Sequence, residues 1–195
     1  MSAARRCWDS ADPAYVEYHD REWGRPVTDE RGLYERLCLE GFQSGLSWLT
    51  ILRKRPAFRT AFADFDPEAV AEFGPQEVER LLGDVGIVRH RGKIEAAIAN
   101  ARATLALREA GTPLSQLVWS HRPQDDRAPR SPADWRATTP ESEALSKQLR
   151  AAGFRFVGPT TVYATMQACG VVNDHLADCI VRAEVEKEIA SSTIA

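Results

Sequence analysis

Glu40 stands in a run of residues, Cys38-Leu39-Glu40-Gly41-Phe42-Gln43-Ser44-Gly45-Leu46-Ser47-Trp48, whose types and spacing could bind a flat ring with a polar edge. Leu33, Leu37 and Glu40 follow the i, i+4, i+7 rule on a helix predicted to begin at Thr28, which turns the carboxylate inward. A buried carboxylate is expensive without partners, so its presence points to a task. The competing arrangement is a surface ion pair with Arg36, four residues earlier. Gly41 and Gly45 bracket Phe42-Gln43-Ser44 and predict a break of the helix into a closely approaching loop, followed by Leu46 and Trp48. Rings such as Trp8, Trp23 and Trp48 beside an inward carboxylate suit a base-binding pocket, in which a ring stacks and the carboxylate accepts hydrogen bonds from the base edge. Some of these tryptophans are equally suited to a core.

A second cluster suits a metal. His175 and Cys179 are four residues apart in a segment read as helix, so both side chains leave one face. Cys7 and His19 near the N-terminus would complete a Cys2His2 set, fully ligated and therefore structural rather than catalytic. The alternative treats Cys179 as a small core residue and the histidines as ordinary hydrogen-bonded ones. A metal would tie together two chain ends, and its binding energy would count as folding energy. Cys38 and Cys169 lie in apolar patterns and are expected in the core. With no export signal, disulfides are not expected.

The elements that must position these groups are helical. The chain has 195 residues, 44% of them hydrophobic and 27% charged, a balance suited to a globular protein with a real core. Apolar residues recur at three- and four-residue spacing from Leu33 to Leu52 and from Ile94 through Ile98 to Leu105. Asp66-Pro67 and Gly74-Pro75 open helices, Gly83 and Gly111 close them, and Thr139-Pro140-Glu141 begins another that stops at Gly153. The fold class is all-α. Residues 122–138 (RPQDDRAPRSPADWRAT) read as a long exposed loop, an inert insertion in preference to a segment that touches DNA, and residues 190–195 as a frayed tail. No apolar run approaches the ~20 residues of a membrane span, and residues 1–12 are not a signal peptide, so no membrane partner and a cytoplasmic location are expected. The net charge of −3 leaves phosphate binding to local patches. Two exist, Arg53-Lys54-Arg55 with Arg59 and Arg89-His90-Arg91 with Lys93; each could equally be solvated helix surface.

Gly153-Phe-Arg-Phe-Val-Gly-Pro-Thr-Thr161 lies between two predicted helices. Gly158 is expected to take positive φ, and Pro159 suits the first helical position. A helix opening there leaves N–H groups outward, ready for a phosphate. This segment resembles the hairpin of the helix–hairpin–helix DNA glycosylases. In that superfamily the following segment has the form Val-Asp-x-His, whose Asp is the catalytic carboxylate. Here it reads Val172-Asn173-Asp174-His175, with Asn173 in the place of the Asp.

More specifically, the sequence resembles the bacterial 3-methyladenine DNA glycosylase I family. The matching stretches are Arg6-Cys7, residues 15–24 (YVEYHDREWG), 38–48, 86–94 (GIVRHRGKI), 153–158 and 166–175 (MQACGVVNDH), spread over nearly the whole chain. The resemblance implies a helix–hairpin–helix glycosylase fold with a zinc site joining the N- and C-terminal segments, one structural Zn2+ per chain held by Cys7, His19, His175 and Cys179. Residues 1–28 plus 170–195 would form the zinc-binding terminal segments. Residues 29–169 would form the helical core with the base pocket and hairpin. It implies Glu40 as the catalytic, base-recognising carboxylate, Tyr18 and Trp48 as walls with Trp8 and Trp23 beside them, Leu46 as a wedge into the duplex, and the hairpin at Gly158 as a DNA contact; Arg91 and Lys93 of the second basic cluster are read beside it as phosphate contacts. Two departures stand out: Cys7-Trp8 where the family reads Cys-Gly-Trp, which would displace the ring, and Phe42 where Gln is common. The implied activity is hydrolytic excision of 3-methyladenine, flipped out of alkylated double-stranded DNA, by a monomer that leaves an abasic site. Methylation at N3 makes the purine cationic and a good leaving group, so Asn173 in place of a carboxylate is consistent. With no lysine assigned as nucleophile, the enzyme would be monofunctional. The rival readings are a non-catalytic, zinc-stapled DNA-binding module and a zinc hydrolase, the latter needing an open metal position.

Overall fold

A computed structural model describes residues 5–124 and 127–193. Among the described residues ten α-helices follow one another: α1 (Pro13–Arg21), α2 (Glu30–Gln43), α3 (Trp48–Ala61), α4 (Pro67–Ala71), α5 (Pro75–Gly83), α6 (Arg91–Glu109), α7 (Leu114–Trp119), α8 (Pro140–Ala151), α9 (Pro159–Ala168) and α10 (Arg182–Ser191). Among the described residues the only β feature is one isolated parallel bridge between Arg5 and Cys179. The helix starts were written in local chemistry. Asp12, Asp29, Ser47, Asp66 and Thr139 accept hydrogen bonds from the free N–H groups of α1, α2, α3, α4 and α8. Proline fills the first position of α1, α4, α5, α8 and α9, where a missing N–H does no harm.

The centre of the molecule is α2, which packs on α3, α6, α7 and α9. Residues 37–42 are all buried, so the last turns of α2 have no solvent face. Glu40 is therefore enclosed for a larger reason than one apolar arc. The helix is not broken at Gly41 but continues to Gln43; the turn comes at Gly45, with φ +84°. Lys93 of α6 holds that end, its ammonium donating to the carbonyls of Phe42 (2.9 Å) and Ser44 (2.7 Å).

Helices α8 and α9 form the expected hairpin, with different backbone chemistry from that expected. Gly158 has φ −64° and caps α9 in extended geometry; the left-handed residues are Gly153 (φ +96°) and Phe156 (φ +56°). Asn100 of α6 grips the hairpin from both sides of Arg155, accepting from its N–H at 2.7 Å and donating to its carbonyl at 3.1 Å.

The segment of His175 and Cys179 is not helical. The buried Arg182 guanidinium takes the carbonyls of Asn173 (2.8 Å) and His175, which a helix would have used, and Cys179 is drawn into the bridge with Arg5. Residues 122–138 are not inert either. Pro129 accepts from the Ala177 N–H at 2.8 Å, and Trp135 donates its indole N–H to the Asp174 carbonyl at 2.9 Å. Residues 125 and 126 of that loop, and 194 and 195 of the tail, lie outside the described residues; α10 carries helix to Ser191. No described helix is long and apolar enough to cross a membrane.

Candidate active site and metal centre

Glu40 forms part of the wall of a cavity of about 290 Å3, near the lower end of the range for ligand pockets. The rest of the lining comes from α1 (Tyr15, Tyr18), the segments beside it (Trp8, Trp23), the end of α2 and start of α3 (Gln43, Trp48), α9 (Ala164, Gln167), and Trp135 with Arg136. The rings form a continuous belt. Centroids lie 5.3 Å apart for Tyr18–Trp48, 5.2 Å for Trp8–Tyr15, 5.0 Å for Trp8–Trp23 and 6.3 Å for Trp23–Trp135. Trp8 therefore reaches the cavity despite its shifted register.

The Glu40 carboxylate is only 6% exposed and accepts no hydrogen bond from any described residue. Burial pushes its titration up from 4.5 to about 8, with the Arg36 charge opposing. The surface pair with Arg36 does not form. Arg36 donates instead to Glu22 at 2.9 Å, and Arg55 clamps the same carboxylate at 2.6 and 2.7 Å. The Trp48 indole nitrogen is likewise buried without a partner. An unpaired carboxyl group that can ionise, an unpaired donor and stacked rings in one cavity are matched to a cationic, flat, hydrogen-bonding guest.

Behind this belt, Cys7, His19, His175 and Cys179 bring four ligand atoms within 4.8 Å of one another, all buried. Sulfur–nitrogen separations are 3.3 Å (Cys7–His175), 3.4 Å (Cys179–His175) and 3.5 Å (Cys179–His19). Tetrahedral zinc, with sulfur at about 2.3 Å and nitrogen at about 2.0–2.1 Å, requires edges of about 3.6 Å. The four residues could hold such an ion. The far ring nitrogens are engaged as metal-binding histidines require. His19 Nδ1 meets Asp20 at 2.8 Å, with Arg6 holding Asp20 in turn, and His175 Nε2 meets the Trp23 carbonyl at 2.9 Å. Gly24, at φ +78°, leaves room for that imidazole; a Cβ there would sit 3.0 Å from its Nε2.

The remaining predicted residues scatter. Leu46 is exposed (43%) on the turn beside the cavity, and Gly158 opens α9. Lys93 is buried against carbonyls and is no free cation. Arg91 pairs with Glu79 at 2.6 Å and Glu95 at 3.9 Å. The first basic cluster is equally committed: Arg53 to Asp12, Lys54 to the Val85 and Gly86 carbonyls, Arg55 to Glu22 and Arg59 to Glu35. Asn173 is buried, its amide 3.4 Å from the Arg182 carbonyl and from the His175 N–H. The neighbouring Asp174 accepts from Tyr163 (2.8 Å) and Gln167 (2.7 Å) and lines a different cleft. Phe42 belongs to the core, 4.6 Å from Phe58, and Gln43 takes the pocket side. Sequence reasoning did not single out Tyr15, Gln43, Trp135, Arg136 and Gln167 as lining residues. Tyr15 was detectable as the i−3 neighbour of Tyr18, and Trp135 as the lone aromatic of a polar loop; nothing local marked the others.

The fold places the chain in one class of all-helical proteins. A crystal structure of 3-methyladenine DNA glycosylase I superposes with TM-score 0.87 at 49% identity, covering 90% of this chain and 98% of that one. A structure of 3-methyladenine DNA glycosylase I from Staphylococcus aureus, solved for the basis of 3-methyladenine recognition, gives TM-score 0.87 at 37% identity over 93% and 98% of the two chains. Residues 8–183 match the methyladenine glycosylase family model, and the chain belongs to that family. Among its relatives, the DNA-3-methyladenine glycosylase 1 of Escherichia coli (strain K12) is 51% identical over 178 residues, 89% of this chain and 95% of the relative.

Proposed function

We propose that the protein is a DNA-3-methyladenine glycosylase that extrudes the alkylated nucleotide from double-stranded DNA and hydrolyses its N-glycosidic bond. The observation that carries this is the buried, unpartnered Glu40 carboxylate facing an aromatic cavity. An N3-methylated purine is cationic while attached to the sugar, and an ordinary purine is not. Cation–π attraction to Trp48, Tyr18 and their neighbours is worth about 0.5–2 kcal/mol in favour of the charged base. Glu40, held protonated near neutrality in the empty cavity, gives up its proton as the cation arrives and then bears the opposing charge. Extrusion costs a few kcal/mol, least where pairing is already weakened; Leu46 is placed to fill the gap. The leaving group departs neutral, water captures the sugar cation, and an abasic site remains. Asn173, turned toward Arg182 and His175, supplies no carboxylate to this reaction. No lysine lines the cavity among the described residues, which supports a monofunctional enzyme.

We assign Cys7, His19, His175 and Cys179 as the ligands of one structural zinc ion. Its contribution is to hold the two terminal segments together, with Trp8 and Trp23 fixed beside it. Four protein ligands leave no open position, which weighs against a zinc hydrolase.

The deciding experiment is chromatography of bases released from methylated DNA. The wild type is expected to release 3-methyladenine, and E40A to release none while keeping its helical spectrum. A folded wild type that binds DNA and frees no base is a binding module instead.

A further inference from the structure

Most of the chain's cations are spent within the molecule. Both basic clusters legible in the sequence are tied to its own carboxylates and carbonyls, Arg89 and His90 excepted. Arg136 is different. It is exposed, pairs with no carboxylate among the described residues, and lines the cavity that contains Glu40. It also lines the adjoining cleft of about 530 Å3, beside Arg130. Among the described residues three acids border that cleft. Asp134 is occupied by the backbone N–H groups of Arg130 (2.8 Å) and Ser131 (2.9 Å), Asp174 by Tyr163 and Gln167, and Glu141 remains at the start of α8.

The backbone carrying Arg136 is fixed. The preceding Trp135 donates to the Asp174 carbonyl at 2.9 Å and meets Trp23 edge-on. A guanidinium opening onto a cavity matched to a cation would repel its guest unless a second anion neutralised it. The nucleotide that delivers the base carries such an anion on its sugar side, outside the ring cavity. A planar guanidinium fork is suited to two phosphate oxygens.

We propose that Arg136 binds a phosphodiester flanking the extruded nucleotide, so that residues 127–138 form part of the DNA-binding surface. The proposal rests on the glycosylase reading above. It makes Arg136 a positioning residue: it holds the backbone while the rings and Glu40 hold the base.

The test measures the Kd of the full chain for a duplex bearing a tetrahydrofuran abasic analogue, from about 50 to 250 mM salt. Losing one phosphate contact lowers the slope of log K against log salt by about 0.9. R136Q is expected to show that loss, with Kd weakened roughly tenfold, while R136K restores the slope. R108Q, removing a cation already paired with Glu30 and Glu68, is expected to keep the wild-type slope. Quenching of tryptophan fluorescence by free 3-methyladenine, which brings no phosphate, is expected to be no weaker in R136Q than in wild type. An unchanged slope in R136Q overturns the proposal, whatever happens to Kd. Wild type that releases no 3-methyladenine overturns the glycosylase reading, and with it the assignment of this phosphate to an extruded nucleotide.

Discussion

Glu40 works against the stability of its own fold. Its carboxyl titrates near 8 in the folded chain and near 4.5 when unfolded, so the folded state holds the proton more tightly. Stability from this group is complete below about 4.5 and is lost as pH rises through about 8. E40Q is expected to melt like the wild type at pH 4 and to be more stable at pH 8–9 by a few kcal/mol, measured by calorimetry across pH. Its kcat/KM on methylated DNA should fall roughly 100-fold. In the wild type, kcat/KM should climb with pH toward a plateau above about 8, as the free-enzyme carboxylate ionises; a flat profile would remove Glu40 from the chemistry. Asn173 makes the opposite case. Its side chain sits between the Arg182 carbonyl and the His175 N–H, so N173D would place a carboxylate against a carbonyl oxygen. The expected result is a lower melting temperature and no gained excision of a neutral base such as hypoxanthine.

At the scale of elements, the helices were legible wherever start and stop signals were local. Asp or Thr followed by Pro opened α4 and α8, and Gly83 and Gly111 closed α5 and α6 as read. Spacing misled where long-range partners competed for the backbone. The four-residue interval of His175 and Cys179 suggested a helix, and Arg182 dissolved it by taking the carbonyls. In the hairpin, Gly158 needs no left-handed backbone and a Cβ there meets only Arg150, at 3.6 Å. G158A should therefore leave the melting temperature within about a degree; if the start of α9 holds a phosphate, the methyl group should weaken duplex binding. Gly153, at φ +96°, differs; G153A should cost about 1–2 kcal/mol in denaturant unfolding. A G158A protein with full DNA affinity would detach the start of α9 from the phosphate backbone.

At the scale of the molecule, the chain ends control the pocket. Trp8 follows Cys7 directly, the Trp23 carbonyl accepts from His175, and both rings line the cavity. A chelator such as 1,10-phenanthroline is therefore expected to remove one equivalent of zinc per chain and to lower the melting temperature by several degrees. It should also weaken 3-methyladenine binding at temperatures where the helical spectrum is intact. C7S should do the same without chelator. Metal analysis that finds no zinc in freshly purified protein would contradict the assignment.

Much of the outcome was contained in residue order alone. The all-helical class, the hairpin between α8 and α9 and the inward carboxylate at Glu40 follow from short-range chemistry, and the cluster of Cys7, His19, His175 and Cys179 from motifs shared with the resembling family. What the order of residues could not decide was which charges stay free and which loop reaches the pocket. Arg36, Arg55, Arg91 and Lys93 look available along the chain, yet distant carboxylates and carbonyls claim them. Trp135 and Arg136 look idle, yet they come to rest in the cavity of Glu40, 95 and 96 residues away in the sequence. Pairing of charges depends on separation in space, and only the packed chain sets that separation.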